Sequence, residues 1–437
     1  MRKIGIFFGG KSREREISFG SGRTVYDNID KSKYIPVPIF VDSLGNFIIL
    51  NWQYIYKGSI LDFFPSSDLS DTLNSSLYIE SYAEDSNFIE KEVNRIGKKI
   101  YPHNFHEYID FAFLALHGKF GEDGLIQSVL EWYNIPYSGS GVLGSAIGID
   151  KIFQKKILTN NKFTTVDSID ICRAEWVKKA TREEFAEDMF NKLGSNLVIK
   201  SNTQGSSIGV SVVKSKNSAD LISAIHKSFF IYEVFHNEWC NYNDIEKINL
   251  LNSLANITDG VLFPVCIGEK FFYKPSELNF FLDNYFQNNK RSVLIESLNR
   301  EDQITIEKYI KGREFSCIVL QTKDTEAFAL PPTELIKSSE MLSYSGKYLP
   351  GSTRKETPID LPLEQFEYLC NECIRAFNVL NFKTYARIDG IIDESFKIFI
   401  NDPNTTAGML PSSFLFNQAA EIGLSPKQLI SFIIEQR

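Results

Sequence analysis

The feature that most constrains this chain is an apolar strand that ends in two oxygen ligands. Residues 396–400 predict the strand, and Asp402 and Asn404 follow it at positions i and i+2. Because successive side chains of a strand point to opposite faces, this spacing places both ligands on one face. A carboxylate and an amide oxygen together suit a hard cation such as Mg²⁺. The stretch therefore predicts a magnesium site, with a surface hairpin of solvated charges as the alternative.

A second predicted strand precedes the first and brings more charge to the same place. Residues 386–390 carry Arg387 and Asp389 in alternation, and an acidic dipeptide typical of a hairpin turn separates the two strands. Two adjacent strands then deliver Arg387 and Asp389 to the spot that Asp402 and Asn404 occupy. A cation beside several oxygen ligands indicates a site that handles anionic groups and metal together.

Composition narrows the class of protein. The 437 residues, 43% hydrophobic and 23% charged, are typical of a globular protein of roughly two or three domains. A net charge of −8 argues against a general nucleic-acid binder. No apolar run is long enough for a membrane span or a signal peptide, so a cytoplasmic protein is expected. Cys370 and Cys373 share a predicted helix face and are expected to pack in a core rather than bind zinc.

The N-terminus is typical of an open α/β sheet. Residues 3–8 predict a strand, Gly9 and Gly10 break it, and residues 16–28 predict a helix whose N-terminus is free to face an anion. Residues 43–106 are irregular and polar, and we expect an elaboration without visible chemistry. A later predicted strand ends at His117 in a glycine-rich loop, where this histidine is either a loop residue or part of a site.

The sequence further along predicts two functional loops, one that can contact phosphate and one that is typical of a lid. The strand at 197–200 ends in Lys200, and the loop 201–209 that follows is rich in glycine, hydroxyls and free backbone N–H groups, which can fold over phosphates. It is not a Walker loop, and a flexible hairpin tip is the alternative. Residues 341–353 form a long loop of Gly, Ser, Lys and Tyr, which is typical of a lid.

The sequence also predicts one long helix before these loops and one insertion between them. Residues 142–158 predict a continuous helix with Asp150 and Lys151 in its middle. Residues 232–302 are aromatic-rich and have ordinary globular composition, so we expect an ordered insertion that is peripheral to the chemistry.

Nine short motifs follow one another in order along the chain. Each alone is weak, but together in this order they leave little room for chance. The motifs are FGGKSREREIS (8–18), ALHG with GEDG (115–118 and 121–124), PYSGSG (136–141), DK (150–151), Lys200 with GSSIG (205–209), EK with GRE (307–308 and 312–314), KYLPG (347–351), RID (387–389), and NT with GM (404–405 and 408–409).

These motifs resemble those of the D-alanine–D-alanine ligase family of ATP-grasp enzymes. The resemblance runs from Lys3 to about Ile434 and omits roughly 43–106 and 232–302. It implies an α/β ATP-grasp fold in which two α+β halves clasp ATP. The implied domains are an N-terminal open α/β (preATP-grasp) substrate domain at 1–139, a central ATP-grasp subdomain at 140–310 that contains the insertion, and a C-terminal ATP-grasp catalytic domain at 311–437.

The resemblance also implies the activity. Two D-alanines would be joined to D-alanyl-D-alanine for peptidoglycan precursor synthesis, with ATP as co-substrate and an acyl phosphate as intermediate. Two Mg²⁺ ions, with Mn²⁺ as a substitute, would bridge the phosphates. The implied partners are these small molecules and a second copy of the chain in a homodimer, with no nucleic acid and no membrane.

Site roles are implied residue by residue. Catalytic roles fall to Glu14, Ser206, Tyr348, Arg387 and Gly408, among which Glu14, Ser206 and Tyr348 form a hydrogen-bonded trio that locks the loops. Substrate binding falls to His117, Lys347 and Ser413, and metal binding to Asp389, Asp402 and Asn404. ATP binding falls to Lys151, Lys200, Ser206, Ser207, Glu307, Lys308, the backbone at Ile310, and Glu314.

The chain departs from the family pattern at several positions. Asp402 replaces the usual glutamate, Ala407 and Ser201 stand where proline is usual, and Ser412 stands where histidine is usual. Two other functions stay open on this ground: a related carboxylate–amine ligase for a different amino-acid pair, and an ATP-binding module without catalysis. The loop 341–353 contains no histidine, whereas relatives that make D-lactate esters have a histidine-bearing loop there.

Overall fold

The structure, a computed structural model, describes residues 1–66, 73, 77–324, 326–337 and 353–436. Most of the predicted lid at 341–353, with Lys347 and Tyr348, lies outside these residues. Among the described helices, none is both long and apolar enough to cross a bilayer.

The described elements are a mixture of strands and α-helices along the chain. The strands are β1 (Arg2–Gly9), β2 (Tyr34–Val41), β3 (Phe47–Leu50), β4 (Gly97–Ile100), β5 (Phe111–Leu114), β6 (Ser168–Cys172), β7 (Leu197–Ser201), β8 (Ser211–Val213), β9 (Ile231–Val234), β10 (Val265–Ile267), β11 (Lys270–Phe272), β12 (Val293–Ser297), β13 (Gln303–Lys308), β14 (Arg313–Gln321), β15 (Ala327–Ala329), β16 (Thr333–Lys337), β17 (Thr353–Glu356), β18 (Tyr385–Ile392) and β19 (Ile398–Ile400). The α-helices are α1 (Arg15–Asn28), α2 (Ser86–Ile96), α3 (Phe105–Tyr108), α4 (Leu125–Trp132), α5 (Val142–Ile149), α6 (Lys151–Asn160), α7 (Arg173–Trp176), α8 (Arg182–Leu193), α9 (Ser218–Phe229), α10 (His236–Asn241), α11 (Asp244–Ala255), α12 (Pro275–Asn288), α13 (Leu363–Val379), α14 (Phe414–Glu421) and α15 (Pro426–Glu435).

The N-terminal sheet has the order β4-β3-β2-β1-β5, in which β1 runs parallel to β2 and β5. Its first strand is buried on both faces: Phe8 packs in one core with Phe19, and Phe7 packs in another with Phe105. The expectation that residues 43–106 are irregular is wrong in part, because β3, β4 and α2 lie there. Strands of four residues are too short for their alternation to stand out from the surrounding polar sequence.

The predicted continuous helix at 142–158 is two helices. Asp150 has an extended backbone (φ −90°, ψ 97°), and its carboxylate accepts a hydrogen bond of 2.8 Å from the N–H of Phe153 at the start of α6. An aspartate in this role satisfies a free N–H at a helix N-terminus. The break places Lys151 on the first turn of α6, where its ammonium points to the glycine-rich loop: it donates to the Gln204 carbonyl at 2.6 Å.

Two antiparallel sheets follow, and the strands of the second lie within the sequence between two strands of the first. The central sheet has the order β6-β13-β7-β8 and packs against α8 and α9. Between α9 and β13 the chain forms the sheet β11-β10-β12-β9. This inner sheet and helices α10 to α12 share a core that includes Trp239, Leu278 and Phe286. This core confirms that the segment 232–302 is ordered, and its status as an insertion stays a prediction.

The C-terminal sheet has the order β17-β16-β14-β18-β19, with β15 also paired to β14. The predicted hairpin at 386–400 is present as β18 and β19, whose register pairs Gly390 with Ile400. Helix α13 covers one face of this sheet. Helix α14 contacts β14, and α15 packs with α1 of the N-terminal sheet.

One buried side chain ties α14 to the strands behind the site. Gln418 is fully buried and accepts a hydrogen bond of 2.8 Å from the Ile318 N–H. Its amide donates to the Ser316 carbonyl at 2.8 Å and to the Thr333 hydroxyl at 3.0 Å. Since Ser316 in turn donates to Asp389 at 2.7 Å, this glutamine supports a residue of the predicted metal site.

Replacing Gln418 with leucine is expected to destabilise the protein by about 2–3 kcal/mol, because a buried N–H and a buried C=O are left unpaired. Urea unfolding of Gln418→Leu against the wild type measures this. Asn417→Leu, on the same helix but half-buried, is the matched control and should change stability by no more than about 0.5 kcal/mol. Equal effects of the two variants would show that the bridge carries little energy.

Candidate active site

A cavity lies between the central and C-terminal sheets, with the N-terminus of α6 and the glycine-rich loop along one side. It gathers most of the residues to which the sequence assigned a role. The predicted site residues that line it are Lys151, Lys200, Ser206, Ser207, Glu307, Lys308, Ile310, Glu314, Arg387, Asp389, Asp402, Asn404, Gly408 and Ser413. Glu14 and His117 are buried beside the loop.

A buried ion cluster joins the two walls of the cavity. Lys200, at the end of β7, forms ion pairs with Glu307 at 2.8 Å and Asp402 at 3.2 Å, and donates to the Asn401 side chain at 2.9 Å. Burial disfavours its charged form, but the Asp402 and Glu307 carboxylates outweigh burial and raise the pKa of Lys200. The ammonium is therefore charged at neutral pH and is held between the two walls.

Lys155 belongs to this cluster and was not predicted. Its ammonium pairs with the carboxylate of Glu307, which burial alone would make less acidic but which Lys200 and Lys155 hold at a lowered pKa. The spacing of the two lysines could have indicated Lys155, because Lys151 and Lys155 are four residues apart on a helix and therefore lie on one face. Glu307, predicted to hold adenine and ribose, thus reaches the cavity with its carboxylate engaged by two lysines.

The opposite wall carries the predicted metal residues. Arg387 pairs with Asp389 at 2.8 Å, and the backbones of Arg387 and Asn404 exchange hydrogen bonds of 2.9 and 2.7 Å. The argument that Asp402 and Asn404 share a strand face is wrong, because the strand ends at Ile400. Asp402 has a left-handed backbone (φ 55°) that turns the chain out of the pleat. The turn still brings both side chains to the cavity.

The donor set on this wall fits a hard divalent cation. The Asp389 and Asp402 carboxylates are partly exposed to the cavity, at 25% and 32% of their side-chain surface, and the Asn404 amide lines the same space. Carboxylate and amide oxygens are the ligands that Mg²⁺ prefers. In the part of the chain that the structure describes, three or more His, Cys, Asp and Glu side chains do not cluster as a metal cage. Such a cage is not needed for Mg²⁺, which keeps waters and shares substrate phosphates.

The glycine-rich loop reaches the N-terminal turn. The Ser206 hydroxyl donates to the carboxylate of Glu14, which is buried. A Cβ at Gly205 would lie 2.6 and 2.7 Å from the two Glu14 oxygens, so a larger residue there would have to displace the Glu14 carboxylate. Burial raises the pKa of Glu14, against the Ser206 hydrogen bond and the nearby charge of Lys151. The structure thus brings together two members of the predicted trio, and the third, Tyr348, lies outside the described residues.

His117 and a second buried acid lie next to this contact. The His117 ring is 3.2 Å from the Ser21 hydroxyl and 4.0 Å from the Glu122 carboxylate. Glu122 accepts from the N–H groups of Gly118 at 2.6 Å and Thr406 at 3.1 Å, and so joins the N-terminal loop to the segment after Asn404. Glu122 was assigned no role, although its place between glycines in a loop was visible.

The two groups have opposite pKa shifts. Burial, and then the charge of Arg387, lowers the pKa of His117 to about 4, so its imidazole is neutral at pH 7. Burial, and then the charge of Glu14, raises the pKa of Glu122 to about 8. The pocket thus holds a neutral histidine beside an acid that titrates near neutral pH, an arrangement common at functional sites.

The inserted segment also reaches this site, which contradicts its predicted peripheral place. Arg13, next to Glu14, donates to backbone carbonyls of the insertion, and Glu301 of the insertion accepts from Thr203 and Gln204 of the glycine-rich loop. No local sequence signal connects residues that are about a hundred or more positions apart.

Two protein-family models match the chain, described as D-ala D-ala ligase N-terminus over residues 3–140 and D-ala D-ala ligase C-terminus over residues 285–435. The chain belongs to the D-alanine–D-alanine ligase family. Known members resemble it along its whole length. A D-alanine–D-alanine ligase from Bacillus anthracis is 28% identical over 433 residues, which cover 99% of this chain and 96% of that protein.

Solved structures of the family have the same fold. The D-alanine–D-alanine ligase from Coxiella burnetii aligns with a TM-score of 0.63 at 19% identity, over 100% of this chain and 95% of its own. The Bacillus anthracis ligase complexed with ATP aligns with a TM-score of 0.55 at 25% identity, over 100% of this chain and 96% of its own. The predicted α/β ATP-grasp fold is confirmed.

The shifted pKa of His117 predicts a pH dependence of stability. A histidine whose pKa falls from 6.5 to about 4 on folding contributes stability above pH 6.5 that is lost as the pH falls towards 4. Between pH 7 and pH 5 this loss amounts to about 2 kcal/mol. Glu122 acts in the opposite direction, since its raised pKa costs stability as the pH rises towards 8.

Because these contributions oppose each other, the comparison must be between variants. From pH 7 to pH 5, the wild type should lose about 2 kcal/mol more than His117→Gln in urea unfolding, since glutamine does not titrate. His106→Gln, at an exposed histidine, is the control and should follow the wild type. Parallel pH profiles for His117→Gln and wild type would contradict the buried neutral state.

Proposed function

We propose that this chain is an ATP-dependent, ADP-forming D-alanine–D-alanine ligase that makes D-alanyl-D-alanine for peptidoglycan precursors. The observation that carries the proposal is one cavity bordered by lysines, by the carboxylates of Asp389 and Asp402, and by Arg387, with the Glu14–Ser206 contact beside it. The family membership of the chain and the ATP complex of a relative support it.

ATP would lie between the two sheets with its phosphates near Lys151 and Lys200. Phosphoryl transfer depends chiefly on alignment and on neutralising charge, which two ammonium groups supply. Serines 206 and 207 have left-handed backbones (φ 51° and 60°), so the loop has consecutive N–H groups turned in an unusual direction. Such a backbone forms a concave anion site over the phosphates.

Asp389, Asp402 and Asn404 would hold Mg²⁺, which when bound neutralises phosphate charge. The residues of the chain do the remaining work. Glu14 would hold the ammonium of the first D-alanine. The carboxylate of this D-alanine would attack the γ-phosphorus, and the bond from that phosphorus to the bridging oxygen of ADP would break, which gives the acyl phosphate and ADP. The loops would exclude water, which otherwise hydrolyses this intermediate.

In the second step the amine of the second D-alanine attacks the acyl carbonyl. The Arg387 guanidinium and the Gly408 N–H would stabilise the oxyanion that develops on that carbonyl. Ser413 and Lys347 would hold the second carboxylate, and His117 would lie near the first substrate. Phosphate then leaves, and its bond to the acyl carbon is replaced by the peptide bond.

The assembly and location are part of the proposal. We infer a homodimer in the cytoplasm, because the resemblance implies a dimer and because ATP and the small amino-acid substrates are available there. Size-exclusion chromatography with light scattering tests the dimer directly.

The product distinguishes this activity from its alternatives. Incubation with ATP, Mg²⁺, D-alanine and D-lactate in equal amounts at pH 7 should yield the dipeptide and little ester, because a lysine cation disfavours the ammonium form of the attacking amine. Mass spectrometry of the products measures this. Predominant ester, or a dipeptide formed faster with another D-amino acid, would assign a different substrate pair, and bound ATP without any product would indicate a non-catalytic module.

Asp402→Ala is expected to lower kcat at least about 100-fold, because its carboxylate acts on charge that develops in the transition state. Steady-state kinetics over a range of Mg²⁺ concentrations measures this, with circular dichroism to confirm the fold. The control is Asp360→Ala, at an exposed carboxylate outside the cavity lining. A kcat for Asp402→Ala within a few-fold of the wild type would remove Asp402 from the site.

A further inference from the structure

Two buried contacts connect the inserted segment, residues 232–302, to the glycine-rich loop and to the N-terminal turn. One is made by Arg13 of the turn and the other by Glu301 of the segment. Both side chains are only 3% exposed. Neither belongs to the cavity lining, and neither has a role in the chemistry derived above.

Arg13 is held by the segment through nearly its whole guanidinium. One terminal nitrogen donates to the carbonyls of Ile257 and Gly260, each at 3.0 Å. The other donates to the Val261 carbonyl and to the Ser297 hydroxyl. A planar fork with several donors matches such a set of acceptors, which a lysine does not.

The guanidinium also lies on an aromatic face just before the segment. Its central carbon is 3.7 Å from the centre of the Phe230 ring, a cation–π contact in a desolvated place. Burial, and then the charge of Arg15, lowers the pKa of Arg13 to about 9, so the group is still charged at pH 7. A buried cation of this kind keeps its position only while the surrounding carbonyls keep theirs.

Glu301 holds the loop residues that closely precede Ser206, the other partner of the Glu14–Ser206 contact. One carboxylate oxygen accepts from the Thr203 N–H at 3.0 Å. The second accepts from the Thr203 hydroxyl at 2.7 Å and from the Gln204 amide at 2.6 Å. Three donors on one buried carboxylate form a strong, charge-assisted set.

The two contacts converge on one place in the chain. Arg13 is adjacent to Glu14, and Gln204 precedes Gly205 and Ser206, whose backbone and hydroxyl meet the Glu14 carboxylate. The backbone is rigid over one or two residues. Contacts that hold Arg13 and Gln204 in place therefore also hold Glu14 and Ser206 in place relative to each other. The inserted segment therefore bridges both sides of this contact from behind.

We propose that the inserted segment is a positioning element, which through Glu301 holds the glycine-rich loop in its phosphate-binding shape and through Arg13 aligns Glu14 for the first substrate. The proposal rests on the function proposed above. A loop that is ordered before ATP arrives loses less conformational entropy on binding, so ATP binds more tightly than to a free loop.

The test uses the full chain and a non-hydrolysable ATP analogue with Mg²⁺. Glu301→Gln is nearly isosteric, but it has one acceptor oxygen for three donors and an NH₂ that faces them. It should raise the Kd of the analogue at least fivefold in calorimetry and should increase hydrogen exchange in residues 201–209 of the free protein. The matched control is Glu296→Gln in the same segment, whose carboxylate pairs with Arg173 and Arg300 instead of the loop. Its Kd should stay within twofold of the wild type.

A second pair of variants separates positioning from general stability. Thr203→Ala should also weaken binding of the analogue. In the double variant with Glu301→Gln, the loss of binding free energy should be less than the sum of the two single losses, because both substitutions remove one shared contact. Arg13→Gln should raise the KM for D-alanine at least threefold with a smaller effect on the Kd of the analogue. If Glu301→Gln lowers the melting temperature but leaves the Kd and loop exchange unchanged, the segment is merely structural and the proposal fails.

The outcome is independent of the substrate assignment. Analogue binding and loop exchange need no D-alanine, so a wild-type protein that binds ATP without making dipeptide would overturn the proposed function and leave the Glu301 test valid. Conversely, normal ligation by the wild type with unchanged analogue binding by Glu301→Gln would overturn the positioning element alone.

Discussion

The buried ammonium of Lys200 is the interaction on which the geometry of the site depends. It lies at the end of a central strand, yet two of its partners, Asn401 and Asp402, belong to the segment that follows the C-terminal hairpin. A buried cation without partners is costly, so the two sheets are held at the spacing that lets both sides reach it. In the proposed reaction, a phosphate beside Lys200 would replace Asp402 there and leave this carboxylate to a divalent cation. The cluster that fixes the cavity would then be rearranged by the nucleotide.

Local signals were enough for much of the fold. The run from β1 through Gly9 to α1, and the hairpin of β18 and β19, were predictable because apolar alternation and turn residues lie within a few positions of each other. Predictions of secondary structure were wrong where a second local interaction or conformation opposed the pattern of apolar residues. Asp150 interrupts an apolar helical pattern because its side chain caps the next helix, and Asp402 leaves the strand because its backbone is left-handed. The spacing of apolar residues in the sequence predicts neither of these two backbone conformations.

Most residues of the candidate site were predicted from motifs in a fixed order along the chain. Such motifs give the type of each residue but not the residues that it contacts. Lys155, Glu122 and Glu301 were missed as members of the site because their significance lies in contacts with residues far away in the sequence. Glu307 shows the reverse: its place was predicted, but its engagement by two lysines was not. Pairing of buried charges is a property of the folded chain, so it becomes visible when the strands are in register.

The charges around Glu14 are consistent with the proposed use of one cavity for an anionic and two zwitterionic ligands. Glu14 and Glu122 are buried near each other, and their mutual repulsion favours one proton between them until a cation arrives. The ammonium of the first D-alanine in the proposed reaction would be such a cation, so its binding would favour ionisation of Glu14 and strengthen its own site. His117 is neutral at pH 7 and adds no positive charge that would compete with that ammonium. Lys151, Lys200 and Ser206 line the same cavity. In the proposed reaction the phosphates would meet the two lysines, and the ammonium would meet Glu14, so that the loop carrying Ser206 would separate the two kinds of charge.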